Sequence, residues 1–356
     1  MLVFAIVVST GYGQTESQGP RSIVLLIGDG MGVAHVTAGR TVKGSLALES
    51  FPVGGLMATQ PAGVDYVTDS GAGATALSTG VKTSNGAIAV DTSGGRLETV
   101  FERARLQGKK TGVVVVCSVT HATPAAFMSH VASRGDQLEI AEQIAGADVD
   151  VILGGGWGWF LPKQDGGRRT DGRNLLGQME ERGYVCVQSE SDFTRLMPDP
   201  AKQYLGLFAE NHPGPAQERV PSLADMTKFA LEVLESAPKG FVMMIEGSQI
   251  DWAAHDNKSD QIAAEMVDFD SAIGIVADFA RKHPETLVIV TADHETGGYT
   301  LPDGSVQEKC VKGAFTTRGH TGVMVPIFAM GRGAERFGGI HENAAIGKTI
   351  LSLLEN

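Results

Sequence analysis

Short apolar runs rich in Val and Ile punctuate the chain at residues 22–27, 112–117, 150–153, 241–245 and 286–291. They lack the apolar/polar alternation of a strand with one wet face, so they read as strands buried on both faces of a mostly parallel sheet. Between them, residues 71–79, 98–106, 137–145, 175–182, 223–236, 260–283 and 344–354 show the spacing of helices with an apolar side. Strand and helix patterns alternate without internal repeat or low-complexity linker, which predicts a single α/β domain over residues 21–356. Residues 156–221 break the pattern. Pro198, Pro200, Pro213, Pro215 and Pro221 fall there, in a loop-rich stretch that reads as an insertion at the edge of the sheet.

Four of the strands run into residues that can hold a metal. The first leads to Asp29, the second toward His121 and Thr123; the fourth stops at Glu246 and the fifth at Asp293 and His294. Ligands of open α/β sheets bind beyond the carboxyl ends of the strands, so these four ends predict one site. The strand at residues 150–153 runs into glycines and reads as structural.

Two further segments carry candidate chemistry. Asp69 and Ser70 precede an Ala/Gly-rich helix start, where unpaired N–H groups favour an oxyanion or phosphate beside the serine hydroxyl. An ordinary helix cap has the same local pattern. Asp251 and His255 lie four apart, on one face of a helix starting near Ile250, where they can chelate one ion or form a plain exposed pair. His320 sits between glycines ahead of an apolar run at residues 325–329. Three histidines with several carboxylates and almost no cysteine form the donor mix of catalytic zinc with magnesium nearby.

Composition narrows the classes. With 42% apolar and 20% charged residues the chain is globular, and its net charge of −12 argues against a nucleic-acid backbone or an anionic membrane as the main partner. An anionic substrate must therefore meet local cations, from arginine or metal ions. Residues 2–8 are apolar and too short to span a bilayer, but suit the core of a secretory signal, although the first basic residue is Arg21. Residues 1–20 read as a signal peptide with a polar lead-in, which places the mature protein outside the cytoplasm, periplasmic or secreted. The three cysteines, Cys117, Cys186 and Cys310, are widely spaced and indicate neither a disulfide framework nor a cysteine metal site.

Five segments, in order, resemble the alkaline phosphatase family: residues 27–32, residues 65–76, residues 120–126 with Ser133 and Arg134, residues 246–255, and residues 291–298 with Gly319 and His320. The resemblance runs from about Arg21 to the C-terminus and implies a three-layer αβα sandwich and broad phosphomonoester hydrolysis through a phosphoserine. It makes Ser70 the nucleophile. It assigns Asp251, His255 and His320 to one zinc, and Asp29, Asp293 and His294 with Ser70 to a second. Asp29, Thr123 and Glu246 would hold a magnesium, and Arg134 would grip two phosphate oxygens, with Asp69 in support. A homodimer is the family's usual assembly. Two positions depart from the best-known bacterial pattern, His121 standing for an acid and Trp252 for a lysine, which places the chain in a His/Trp sub-branch. The remaining histidines, His35, His130, His212, His283 and His341, match no catalytic position and read as structural or surface residues. A diesterase of the same superfamily and a noncatalytic phosphate- or metal-binding relative are the alternatives; a sulfatase is disfavoured because Ser70 lacks the Cys/Ser-x-Pro-x-Arg setting.

Overall fold

The computed structural model describes residues 19–355, so all but the last two residues of the expected leader at residues 1–20 lie outside the described residues. The strands are β1 (Ser22–Gly28), β2 (Val53–Ala58), β3 (Lys110–Ser118), β4 (Val151–Gly155), β5 (Tyr184–Val187), β6 (Gln203–Leu207), β7 (Phe241–Gly247), β8 (Thr286–Thr291), β9 (Glu295–Thr296), β10 (Thr300–Ser305), β11 (Cys310–Ala314), β12 (His320–Thr321), β13 (Val325–Gly331) and β14 (Gly339–Glu342). Ten form one sheet in the order β14-β2-β13-β8-β1-β7-β3-β4-β6-β5. Neighbours are parallel except where β13 runs against β2 and β8. The central strands β1, β7 and β8 are buried along their whole length, as unbroken apolar runs require when both faces are covered.

Helices α1 (Val33–Lys43), α2 (Ser70–Thr79), α3 (Val100–Leu106), α4 (Ala122–Met128), α5 (Gln137–Gly146), α6 (Leu175–Glu181), α7 (Glu190–Arg195), α8 (Leu223–Leu234), α9 (Gln249–His255), α10 (Ser259–Lys282) and α11 (Asn343–Leu354) fill the connections. They pack in two sets, α1, α8 and α9 on α10, and α4 and α11 on α2, with the sheet between them. This is the predicted three-layer sandwich. The segment at residues 156–221 contributes β5 and β6, which extend the sheet at one edge.

Helix α3 begins at Val100, two residues later than its pattern indicates, because Thr99 caps it: Glu102 N–H donates to Thr99 Oγ1 (3.2 Å) and Thr99 N–H to Glu102 Oε2 (3.0 Å). Helices α1 and α4 and strands β2 and β14 have no counterpart in the sequence reading. A side chain at Gly39 of α1 would place its Cβ 2.7 Å from Met266 Cβ on α10, so this contact is made by a glycine and leaves no apolar stripe to read. Helix α4 spans seven residues and contains Pro124, too short and irregular for a periodic signal.

Candidate metal centre and buried serine

Ser70 is the first residue of α2 and is buried. Asp69 caps the helix by accepting from Ala72 N–H (3.0 Å), accepts also from Gly86 N–H (3.0 Å), and receives Arg134 Nη1 (2.9 Å). Burial alone would raise the Asp69 pKa, but these three donors hold it below the usual carboxylate value. The cap and the serine site are thus one structure rather than alternatives. Gly73, one turn on, faces the β8 end so closely that a Cβ would sit 3.0 Å from the Asp293 carbonyl oxygen. That approach sets Ser70 Oγ 3.3 Å from His294 Nε2.

The ring nitrogens reveal what the site lacks within the protein. Thr296 Oγ1 donates to Asp251 Oδ1, so it can only accept from His294 Nδ1 (3.2 Å). His294 Nε2 is then a lone pair, yet it faces Asp293 Oδ2 at 3.3 Å and Asp29 Oδ1 at 3.5 Å. His320 Nδ1 donates to the Thr68 carbonyl (2.9 Å) and His255 Nδ1 to the Arg318 carbonyl. Their Nε2 atoms therefore meet at 3.2 Å, with Asp251 carboxylate oxygens 3.3 Å from His255 and 3.6 Å from His320. Both oxygens of Asp29 and Oδ2 of Asp293 are buried with no hydrogen-bond partner among the described residues. Carboxylate oxygens and imidazole nitrogens crowd together here, a geometry that one or more cations satisfy. Donor atoms of Asp29, Asp293 and His294 lie within 4.8 Å of one another, as do those of Asp251, His294 and His320.

A third cluster comprises Cys117, His121 and Glu246, again within 4.8 Å. Cys117 Sγ donates to Glu246 Oε2 (3.3 Å), so a cysteine whose spacing indicated no metal site stands among the candidate ligands. Thr123 is buried in the first turn of α4 beside them. His121 Nε2 accepts from Arg134 Nη2 (3.2 Å). His212 lies nearer to this cluster than its reading as a structural or surface residue indicates. It leaves the 156–221 insertion to lie edge-on to Trp252 (ring centroids 4.6 Å apart) and to His121 (5.8 Å), and its Nδ1 accepts from Ser118 N–H (3.0 Å). No local signal marks it, because the contact is made across the edge of the sheet.

The electrostatics match a site waiting for positive charge. Burial, then Asp293, Asp251 and Glu246, push the Asp29 carboxyl well above its ordinary value. Burial also raises Asp293 to about 6 and Glu246 to about 7. His294 is driven down to about 4 and His121 to about 3, chiefly by burial, whereas His255 is pushed up to about 9 by its hydrogen bond to Asp251. His130 lies apart from the centre, paired with Glu102 Oε1 (3.1 Å) and the Ala89 carbonyl (2.9 Å).

Fold and site define a class: an αβα protein whose central strands deliver groups able to hold metal ions to a buried serine at a helix N-terminus. The chain belongs to the alkaline phosphatase family, a family of phosphoric monoester hydrolases, whose profile matches residues 20–310. It is 41% identical to alkaline phosphatase 4 of Bacillus subtilis over 79% of this chain and 62% of that protein, so it spans less than two thirds of that relative. It is 34% identical to alkaline phosphatase 3 of the same organism over 94% of this chain and 89% of the relative. The alkaline phosphatase of the Antarctic bacterium TAB5 superposes with a TM-score of 0.86 at 34% identity, covering 95% of this chain and 98% of that one. A histidine-to-aspartate variant of the TAB5 protein has Mg bound in its M3 site.

Proposed function

We propose that this chain hydrolyses phosphate monoesters of broad structure, with Ser70 as the nucleophile that carries the phosphoryl group as phosphoserine before water releases it as inorganic phosphate. The observation that supports the reading best is the convergence of carboxylates and imidazole lone pairs on Ser70 Oγ, with Arg134 held beside it by Asp69. Asp251, His255 and His320 would hold one zinc, and Asp29, Asp293, His294 and Ser70 the second. Glu246, Thr123 and Asp29 would hold a magnesium. Bound there, such ions supply the charge that favours a serine alkoxide and a hydroxide near neutral pH and that neutralises the leaving oxygen.

The protein's own groups do the rest. Asp69 takes one N–H of Arg134 Nη1 and His121 faces Nη2, which fixes the guanidinium plane while each nitrogen keeps a second N–H for phosphate oxygens. The metals and Arg134 would grip the phosphoryl group and little else, so the leaving alcohol would be weakly discriminated. Among the described residues no helix is long and apolar enough to cross a membrane. Export to the periplasm or medium and a homodimeric assembly belong to the same proposal.

The test uses p-nitrophenyl phosphate at alkaline pH with zinc and magnesium, beside bis-p-nitrophenyl phosphate as the diester. Hydrolysis of the monoester that falls by several orders of magnitude in Ser70→Ala is expected. An inactive wild-type protein, or a preference for the diester, refutes it.

A further inference from the structure

The end of the sheet opposite Ser70 carries an arrangement of charge that catalysis does not use. Arg21 immediately precedes β1, Lys109 precedes β3 and Lys239 lies two residues before β7, while Arg332 follows β13, whose reversed direction brings its last residue to the same end. These strands lie together in the order β13-β8-β1-β7-β3, so four cations from distant parts of the chain meet at one pole. They line a cavity of about 510 Å³, with Glu285, the residue before β8, as its carboxylate. Its size falls within the range of small-molecule sites.

None of the four cations forms an ion pair among the described residues. Backbone carbonyls hold two of them instead. Lys109 Nζ donates to the carbonyls of Arg21 (2.7 Å) and Lys239 (2.9 Å), and Arg21 Nη2 donates to that of Ala237 (2.9 Å). A carbonyl fixes a cation without neutralising it, so the charge remains available to a ligand. Burial and the charges of Arg21 and Lys239 lower the Lys109 pKa, a cost of gathering like charges that a bound anion would relieve. On a chain of net charge −12, such a concentration is a local exception.

We propose that this basal cavity binds an anion carrying two or more phosphate charges, gripped by Arg21, Lys239 and Arg332 over the fixed ammonium of Lys109. The ligand is either a soluble oligophosphate or the headgroup of an anionic phospholipid, and the latter would orient the molecule with Ser70 facing away from the membrane. The site lies about 20 Å from Ser70, the length of β1, and stands independently of whether Ser70 reacts.

The probe is methylenediphosphonate, whose P–C–P bridge resists hydrolysis, titrated calorimetrically into the metal-loaded full chain at low salt. Two sites per chain are expected, one at the metal centre and one at the pole. Lys239→Gln with Arg332→Gln alters two exposed side chains and should weaken the second site at least tenfold while leaving KM for p-nitrophenyl phosphate and the thermal midpoint unchanged. Lys163→Gln with Lys202→Gln, an equal change of charge elsewhere, should retain both sites. Cosedimentation with phosphatidylglycerol vesicles, against phosphatidylcholine, separates the sources: retention that the polar-end variant abolishes assigns a headgroup, and diphosphonate binding without it assigns a free ligand. One diphosphonate site together with no vesicle retention overturns the proposal. So does binding in both arms that the polar-end substitutions leave unchanged.

Discussion

At the scale of single residues, Thr296 has a larger role than its size suggests. Its one hydroxyl donates to Asp251 and accepts from His294, tying together groups assigned to the two proposed zincs. Thr296→Val should release zinc about 10–100-fold more readily, and Thr296→Ser should restore most of the retention, measured by transfer to a chromophoric chelator. A valine variant that holds zinc as tightly as wild type refutes this. Trp252 stands where a lysine would add positive charge near product. Trp252→Lys should therefore lower the inhibition constant for phosphate, and an unchanged or higher constant would contradict the assignment. Exchanging the His121 imidazole for an oxygen donor in His121→Asp should increase activation by magnesium, followed in a titration of metal-depleted protein. The sequence disclosed Ser70, Asp293 and His294 through their motifs, but gave no sign of Thr296 as the link, because its two partners are remote from each other along the chain. Cys117 gave no sign of its place for a related reason. A lone cysteine carries no spacing signal, and only the pairing of β3 beside β7 brings it to Glu246.

At the scale of elements, α2 is placed by close approach rather than by bulky packing. All ten of its residues are buried, and Gly347 of α11 lies so near that a Cβ would fall 2.5 Å from the Ala76 carbonyl oxygen and 2.6 Å from Gly80 N. Gly347→Ala should destabilise the protein by about 1–3 kcal/mol, the range for overpacking a full core, and should depress kcat because α2 carries Ser70. Calorimetry and steady-state rates on the same preparation check both effects. The strands β1, β3, β4, β7 and β8 were legible from their apolar runs, since burial on both faces leaves an unbroken pattern. Helices α1 and α4 were not, since one meets its neighbour through glycine and the other is only seven residues long. The short strands β9 and β12 were equally silent. Their pairing of Thr296 with His320 nevertheless brings the last of the candidate ligands to the centre.

At the scale of the whole molecule, charge is sorted along the strands, with carboxylates at their carboxyl ends and, at the other pole, cations that form no ion pair among the described residues. The carboxylate end should make metal binding depend on pH. Asp293 and Glu246 are raised to about 6 and about 7, and His255 to about 9, so each holds a proton in the metal-free protein that a cation must displace. Metal affinity should consequently rise as pH increases through this window. Zinc content at fixed free zinc is expected to be higher at pH 8.5 than at pH 6, and a flat or inverted profile would count against the coupling. The sequence alone determined the α/β class, the central strands, the capped serine and the identity of most candidate ligands, because periodicity, caps and motifs are local properties of the chain. Tertiary structure alone decided which candidate ligands lie together, that Cys117 and His212 stand close to His121, and that four cations gather at the opposite end. Those outcomes depend on the order and direction of the strands, and the interactions that set strand order connect residues too far apart for any local pattern to record.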